Sequence, residues 1–328
     1  MKFFYGKKVS DEFVNNKLNW DQDGSLKKRS RRLSKISDVR IKKCSLCGTS
    51  NSKMVCSFYG VNYLRCVKCD LVYSDRILSE EAMEKFYTSD KDYTSKAYTS
   101  KNLLKMREDL IKPKIQFVKK FVKGKNWLDI GSADGSAVKA IMDEGFTVLG
   151  TEISQRARDF AKKYRKINLY PKTLESLALE TKTKWNAITF FGVIDIIPDP
   201  INALKTSHKI LSKNGIICIQ VPNHDSISTK IQKLTTEPDR HLTPPIAIRQ
   251  FTSKSLEFAL KKSGFKPIAT WIWGMDMIEF LKYLRRQNSS FKNSEIDNFL
   301  TNNLNQLQYI FDIKKQGDSL LMIGRKTS

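Results

Sequence analysis

The sequence predicts an α/β protein in which a small zinc ribbon precedes a doubly wound sheet of seven strands. Three observations support this prediction. A buried strand, a tight glycine turn and a helix follow one another from residue 127 onward. Apolar strand patterns then alternate with helical patterns to the end of the chain. Two C-x-x-C pairs lie upstream of this region.

The individual elements are assigned from the spacing of apolar residues. The strands of the large sheet are predicted at 127–130, 147–152, 167–170, 185–191, 216–221, 266–273 and 319–325. Helices are predicted at 101–122, 137–142, 154–164, 203–211, 256–263, 275–286 and 294–314. Pro113 is expected to kink the first of these helices, and Ser154 is expected to cap the third.

Length and composition bound the class of protein. The chain has 328 residues with 40% hydrophobic residues, enough for one large core and one small unit. It contains no apolar run of about 20 residues, and its first residues lack the apolar segment of a signal peptide. These features predict a soluble cytoplasmic protein without a transmembrane segment.

The net charge of +24 can indicate nucleic acid, an anionic membrane surface or an acidic substrate as partner. Lysines are scattered along the whole chain, which favours a solvated basic surface. One dense block, at 27–43, lies within a stretch of few apolar residues. We therefore expect residues 1–43 to form a loosely attached basic extension, by default a solvated tail without a partner. RNA, membrane phosphate and an anionic glycan carrier are the alternative partners.

Four of the six cysteines form the two C-x-x-C pairs, Cys44 with Cys47 and Cys66 with Cys69. Eighteen residues separate the pairs, a spacing typical of structural zinc sites. Four thiolates complete a closed tetrahedral shell around Zn²⁺, so catalysis by this metal is not expected. A ribbon of this kind serves either as a nucleic-acid-binding module or as a scaffold for substrate docking, and both alternatives remain open here.

The strand at 127–130 contains Asp129 and is followed by Gly131 and Gly135. Glycines let the backbone approach a ligand closely, and the next helix offers free N–H groups. A dinucleotide site would have G-x-G-x-x-G, whereas here Ala133 occupies the middle position. Glu152 ends the second strand, where its carboxylate can accept hydrogen bonds from ribose hydroxyls. A nicotinamide enzyme also needs such an acid, and a solvated strand end is a further alternative.

The glycine pattern resembles motif I of class I S-adenosylmethionine-dependent methyltransferases. The order C-x-x-C-G, strands, C-x-x-C-D-L-V-Y and an acidic helix is similar to the zinc-binding unit of bacterial methyltransferases of sugar, lipopolysaccharide or capsule biosynthesis. The resemblance spans about residues 44–326 and implies a Rossmann-like methyltransferase sheet. It further implies S-adenosyl-L-methionine as cofactor and Zn²⁺ in the ribbon.

The resemblance also implies a set of cofactor-binding residues along the strand ends. They are Asp129, Gly131, Ser132, Ala133, Gly135, Glu152, Ile153, Thr173, Leu174, Phe191 and Gly192. The turn at 173–174 is expected to lie along the adenine, and Phe191 is expected to pack against the cofactor. Tyr93 and Tyr98 are expected in a loop near the mouth of the site.

Three residues are candidates for a general base, which is needed if the acceptor is a hydroxyl or a carbon acid. His241 is the first candidate and His224 the second, because both follow the fifth strand, where the resemblance places the acceptor. Asp195 is the third, in a position where the related enzymes have glutamate followed by histidine; here Ile196 replaces that histidine. The alternative for both histidines is a loop residue hydrogen-bonded to backbone.

The expected organisation is an extension at 1–43, a ribbon at 44–78, linker helices with a cofactor-cap loop at 79–125, and a methyltransferase domain at 126–328 with a helical insertion at 274–317. The predicted activity is methyl transfer to a sugar or glycan precursor, such as a nucleotide-linked sugar. An RNA- or DNA-interacting protein is the alternative, and a nicotinamide enzyme is a third hypothesis. The acceptor, the methylated atom and the oligomeric state stay undetermined at this level.

Overall fold

The structure is a computed structural model that describes residues 1–19, 25–89, 101–234 and 241–327. The strands in these residues are β1 (Lys2–Tyr5), β2 (Val39–Arg40), β3 (Ser52–Phe58), β4 (Val61–Cys66), β5 (Val72–Ser74), β6 (Arg76–Ile77), β7 (Asn126–Ile130), β8 (Thr147–Thr151), β9 (Trp185–Phe191), β10 (Leu211–Pro222), β11 (Arg249–Gln250), β12 (Phe265–Trp273) and β13 (Ser319–Lys326).

The α-helices are α1 (Asp11–Asn19), α2 (Ser25–Ser34), α3 (Glu80–Ser89), α4 (Lys101–Val118), α5 (Ser136–Asp143), α6 (Gln155–Phe160), α7 (Leu174–Glu180), α8 (Pro200–Ile210), α9 (Ile227–Gln232), α10 (Ser253–Lys262), α11 (Asp276–Gln287), α12 (Glu295–Asn302) and α13 (Leu304–Ile313). Short 3₁₀ or π turns lie at Lys119–Phe121, Ala161–Arg165 and Ser289–Phe291. Most of the predicted elements are confirmed within a few residues. Ser154 caps α6 as expected, since its hydroxyl accepts from the Ala157 N–H.

The large sheet has seven strands in the order β1-β12-β13-β10-β9-β7-β8. All neighbours pair in parallel except β13, which runs antiparallel to both β10 and β12. Ser319, the first residue of β13, is therefore paired with Pro222 and Trp273, the last residues of β10 and β12. One edge of the sheet thus gathers the carboxyl ends of the parallel strands and the start of β13, which is where α/β sheets bind ligands.

The sheet has seven strands as predicted, but one member differs: the strand predicted at 167–170 is absent from the sheet, and another segment takes its place. The segment predicted as a strand at 167–170 makes only an isolated bridge between Tyr170 and Thr151. Pro171 follows directly and has no N–H to continue the ladder, which explains why the pairing stops there.

The N-terminal segment supplies the missing strand. β1 pairs in parallel with β12, placing Phe4 beside Trp271, and the ring of Phe4 meets Phe117 edge-on at 4.9 Å. The basic block is attached as well. The hydroxyls of Ser30 and Ser34 on α2 donate to the Pro244 carbonyl. The structure therefore differs from the expected loose extension, because apolar and hydroxyl side chains anchor this segment to distant parts of the chain.

The ribbon is built into the same body. Its small antiparallel sheet has the order β11-β5-β4-β3, so the last partner of the ribbon strands comes from far downstream. Arg249 pairs with Tyr73 and Gln250 with Val72. The segment that enters α10 is therefore shared between the ribbon and the large domain.

Helices cover both faces of the large sheet. On one face, α4 and α5 bury Ile115 and Ile141 against Trp127, while on the other face α8 and α10 bury Leu204 and Leu260. The insertion after β12 packs α11 and α13 together with the N-terminal α1. Among the described residues, no helix is both long enough and apolar enough to cross a bilayer.

Candidate active site

The turn after β7 has the backbone that its glycines predict. Gly131, Ala133 and Gly135 all have positive φ, at 69°, 48° and 76°. A Cβ on Gly131 would lie 2.6 Å from Cγ2 of Val193, so a side chain is excluded there by space as well as by conformation. This turn leads into α5 at the carboxyl edge of the sheet.

Asp129 lies at the end of β7 and is 1% exposed. Thr189 on the neighbouring β9 donates its hydroxyl to Oδ1 of Asp129 at 2.6 Å. Burial raises the pKa of Asp129 to about 6, although this hydrogen bond acts in the opposite direction. The structure thus holds a weakly solvated carboxyl directly before the glycine turn.

Glu152 follows β8 and faces the same turn. Its Oε2 accepts from the Ala133 N–H at 2.9 Å, and its Oε1 accepts from the Ser154 N–H at 2.8 Å. Burial raises the pKa of Glu152, against the lowering effect of these backbone donors. A carboxylate has about four acceptor positions, so oxygen lone pairs remain for the hydroxyls of a ligand. The neighbouring Ile153 is 45% exposed and offers an open apolar surface.

An ion cluster that the sequence did not reveal fixes the turn from outside. Asp134 is 1% exposed. It lies 3.0 Å from Nη2 of Arg165 and 3.4 Å from Nη1 of Arg107 on α4. Burial alone would raise the pKa of Asp134, but Arg107, Ser136 and Arg165 together lower it. The sequence does not reveal these ion pairs, because Asp134 lies in a loop and its partners Arg107 and Arg165 are distant along the chain.

The other predicted cofactor residues divide into two groups. Thr173 caps α7 by accepting from the Ser176 N–H, and Leu174 is buried in the core, so the side chains of this turn have structural roles. Phe191 ends β9 at the ligand edge, with the Lys114 ammonium 5.6 Å from its ring centre. Gly192 is exposed, and a Cβ there would meet nothing within 4 Å. Tyr93 and Tyr98 lie outside the described residues.

The candidate bases occupy three different environments. His241, 6% exposed, places Nε2 at 3.3 Å from Oδ2 of Asp318, directly before β13. His224 is buried, and its Nε2 lies 3.0 Å from Nζ of Lys233. Burial, followed by Lys233, lowers the pKa of His224 to about 3, so this imidazole is a weak base at neutral pH.

Asp195, the third candidate, lies in the loop after β9. Burial raises its pKa to about 6, and its Oδ1 has no hydrogen-bond partner. The charge of Arg249 lowers the pKa of Asp195 against the effect of burial, and the Arg249 guanidinium donates to the Asp195 backbone carbonyl.

One short segment connects all three candidates. Arg249 donates to the Asp195 carbonyl. The side-chain amide of Gln250 donates to the His241 carbonyl. The Phe251 carbonyl accepts from the His224 N–H at 2.8 Å. These residues, 249–251, include β11 of the ribbon sheet. The sequence does not identify this connection, because a strand of two residues leaves no periodic pattern.

The four cysteines of the ribbon meet as predicted. The sulfurs of Cys44 and Cys69 are 3.4 Å apart, as are those of Cys47 and Cys66, and all four lie within 4.8 Å of one another. The hydrogen bond from Cys69 lowers the pKa of the Cys44 thiol. Four converging thiols at this separation fit a tetrahedral metal ion, since Zn–S bonds are about 2.3 Å long.

Comparison with known proteins gives a family match over the strands and the turn described above. A family described as "Methyltransferase domain" matches residues 103–270, just over half of the chain. Among curated proteins, the chain is 22% identical over 126 residues to a ubiquinone biosynthesis O-methyltransferase of Nitrosospira multiformis, covering 37% of this chain and 53% of that protein. The corresponding protein of Vibrio parahaemolyticus is 22% identical over 107 residues, covering 31% and 46%. The chain thus spans about half the length of these curated relatives.

Solved structures with a similar chain path include a SAM-dependent methyltransferase from Archaeoglobus fulgidus, with 17% identity and a TM-score of 0.46 over 67% of this chain and 94% of that one. Magnesium protoporphyrin IX methyltransferase from Synechocystis, with bound SAH, has 11% identity and a TM-score of 0.49 over 76% of this chain and 100% of that one.

The family match covers β7 to β10, the glycine turn and both strand-end acids. The chain therefore belongs to the methyltransferase-domain family, and its domain is that of an S-adenosylmethionine-dependent methyltransferase.

Proposed function

We propose that this protein transfers the methyl group of S-adenosylmethionine to a hydroxyl oxygen of a sugar or glycan precursor. The choice of oxygen is supported by the curated relatives, which are O-methyltransferases. The sugar class rests on the resemblance of the ribbon and its flanking motif to methyltransferases of polysaccharide biosynthesis. The single observation that carries the reaction type is the pairing of His241 with Asp318 at the ligand edge of the sheet.

The residues around the glycine turn fit the cofactor. Glu152 is oriented by two backbone donors and retains acceptor positions for ribose hydroxyls, while Asp129 supplies negative charge near the amino-acid end. Ile153 and Gly192 leave open surface beside them. When bound, the cofactor supplies a methyl group on a sulfonium, which is already a good leaving group. The protein then contributes mainly by positioning the two reactants.

His241 takes the proton that the acceptor hydroxyl loses. Its Nε2 faces Asp318, so Nδ1 is the ring nitrogen that can meet the substrate. Asp318 holds the ring in place and favours the imidazolium that forms, as carboxylates do beside catalytic histidines. Methyl transfer from a bound donor would break its C–S bond and form the C–O bond of the product, and His241 would take the hydroxyl proton.

The four-cysteine cluster holds a zinc ion with a structural role in this proposal. Four thiolates leave no open position for substrate, so the metal stabilises the fold of the ribbon. Because β11 belongs to both the ribbon and the segment behind the candidate bases, loss of the metal would also disturb the site.

The test is calorimetry with S-adenosylmethionine and with NAD, followed by transfer of a labelled methyl group to nucleotide sugars and glycan precursors. We expect binding of the sulfonium donor only, and labelled product from a sugar. The variant His241→Gln should lower kcat about 10²-fold or more while donor binding stays unchanged. His208→Gln is the control, because His208 lies on α8, where its ring packs edge-on against Phe265 and has no role in the proposed reaction. Full activity of His241→Gln would remove the assigned base.

A nucleic-acid acceptor is the second candidate, because α2 presents Lys28, Arg31 and Arg32 on an exposed and anchored surface. Phosphate contacts make log affinity fall steeply with log salt concentration. Salt-dependent RNA binding together with labelled RNA product would favour this candidate over a sugar.

A further inference from the structure

Arg249 connects the metal-binding cysteines to the loop that follows β9. Its Nε donates to Oγ of Ser45 at 2.8 Å, and Ser45 lies between the first two cysteines of the cluster. Its Nη1 donates to the Ile197 carbonyl at 2.6 Å and its Nη2 to the Pro198 carbonyl at 2.7 Å. One guanidinium thus holds both partners in a fixed relation.

The environment makes this connection stiff. Arg249 is 5% exposed, and its planar fork presents donors in fixed directions. Because Arg249 itself is almost fully buried, a move of the fork would leave its N–H donors without partners, which is unfavourable for a buried polar group. The charges of Asp195 and Asp199 raise the pKa of Arg249, against the larger lowering effect of burial.

The same loop forms part of the cofactor site. It starts at Gly192 and continues with Val193, whose methyl carbon fills the space beside Gly131 where a Cβ would stand. A shift of the loop would therefore move the wall against the glycine turn. A continuous path runs from Ser45 through Arg249 to Val193 and the turn after β7.

We propose that Arg249 is a positioning residue that makes the geometry of the methyl-transfer site depend on the folded four-cysteine knuckle, the two C-x-x-C turns at residues 44–47 and 66–69. This inference rests on the proposed function, because the loop matters only if the reaction occurs at this edge of the sheet. The residue acts through the loop and touches neither reactant in the proposal. Its position in the ribbon sheet and its contacts to the loop are both needed for this role.

The chain offers a matched control. Lys262 at the end of α10 donates to the carbonyl of Leu46 at 2.6 Å, so it also holds the knuckle. In the contacts seen here Lys262 reaches the knuckle and not the loop after β9. The variants Ser45→Ala and Arg249→Gln remove the connection, whereas Lys262→Ala weakens the knuckle alone.

The experiment is hydrogen–deuterium exchange of the amides of Ile196 and Ile197 in the full chain, with metal content measured on the same samples. We expect exchange to rise about tenfold after chelation of the wild type, and also in metal-loaded Ser45→Ala. Metal-loaded Lys262→Ala should exchange like the wild type. If Arg249→Gln does not fold, Ser45→Ala carries the test alone. Unchanged exchange in metal-loaded Ser45→Ala would overturn the inference.

Kinetics separate positioning from general destabilisation. Metal-loaded Ser45→Ala should lower kcat about tenfold with less than a twofold change in the Kd of the sulfonium donor. Wild-type values of kcat in this variant would also overturn the inference. If the wild type methylates no acceptor while loop exchange still follows the knuckle, the proposed function fails and the connection stands. If the wild type is active but loop exchange ignores Ser45, the connection fails alone.

Discussion

The hydroxyl of Thr189 on β9 donates to Oδ1 of Asp129 on β7 at 2.6 Å, across two neighbouring strands of the sheet. This contact holds the carboxyl at the end of β7 in one orientation although it is almost completely buried. Burial of a carboxyl is unfavourable unless it is hydrogen-bonded or meets a cation. The proposed cofactor carries positive charge on its sulfonium and amino groups, and this charge would pair with the buried Asp129 carboxylate.

We therefore expect Asp129→Asn and Glu152→Gln each to weaken binding of S-adenosylmethionine about tenfold, or about 1.4 kcal/mol. Both substitutions keep the shape of the side chain and remove its charge, and the Asp129 change preserves an acceptor for Thr189. Calorimetry at fixed pH measures the effect. Asp143→Asn is the control, because this exposed acid on α5 pairs only with a surface lysine in the contacts seen here. Titration curves that match the wild type for both variants would refute the site.

A second prediction concerns pH, through the buried acid Asp312. Burial raises the pKa of Asp312 to about 8 and that of Asp276, nearby, to about 7. Folding raises the pKa of Asp312, so the protonated carboxyl favours the folded state at low pH. This stabilisation is lost as the pH rises from about 4 to about 8 and the carboxyl ionises. Oδ2 of Asp312 has no hydrogen-bond partner, whereas Oδ1 accepts from Gln308.

The variant Asp312→Asn should therefore raise the Tm at pH 8.5 by a few degrees, and this gain should shrink as the pH approaches 5. Thermal unfolding at several pH values measures the difference between variant and wild type. The exposed Asp143→Asn should show a flat difference over the same range. A gain that grows towards low pH would contradict the assigned direction of the pKa shift.

The successful fold predictions came from local patterns. β7, β9 and β13 are apolar runs bounded by polar or glycine residues, and each lies close to its predicted position. The failures have non-local causes. β1 is four residues long and becomes a strand only because β12, near the other end of the chain, offers an edge. The predicted strand at 167–170 has the right composition, but Pro171 prevents a longer ladder.

The candidate site divides in the same way. Glycines and strand-end acids carry a recognisable spacing, so Gly131 and Glu152 could be named from the sequence. Asp318 and Arg249 could not, because their partners are far away along the chain. The sequence ranks His241 ahead of His224, but the physical reason comes only from the structure, in which Lys233 lies against the ring of His224.

The four-cysteine cluster gives a third prediction. Elemental analysis should find one zinc ion per chain, and Cys66→Ser should lose it, because three thiolates cannot close the tetrahedral shell. Cys56→Ser is the matched control: this half-buried cysteine on β3 lies outside the cluster and should keep the metal. Chelation should lower the Tm of the wild type and of the Cys56 variant alike. Full zinc content in Cys66→Ser would contradict a four-thiolate site.

The last prediction tests the N-terminal strand. Phe4 packs edge-on against Phe117 at 4.9 Å, whereas the adjacent Phe3 points to the other face and is 38% exposed. Removing a fully buried phenylalanine costs about 3–5 kcal/mol. Phe4 is half-buried, so we expect Phe4→Ala to lower the free energy of unfolding by about 1–3 kcal/mol and Phe3→Ala to lower it by less. Urea unfolding of both variants measures this difference. Equal effects would indicate that β1 contributes to the sheet through its backbone hydrogen bonds alone, and no effect from Phe4→Ala would mean that the strand does not pack on the body in solution.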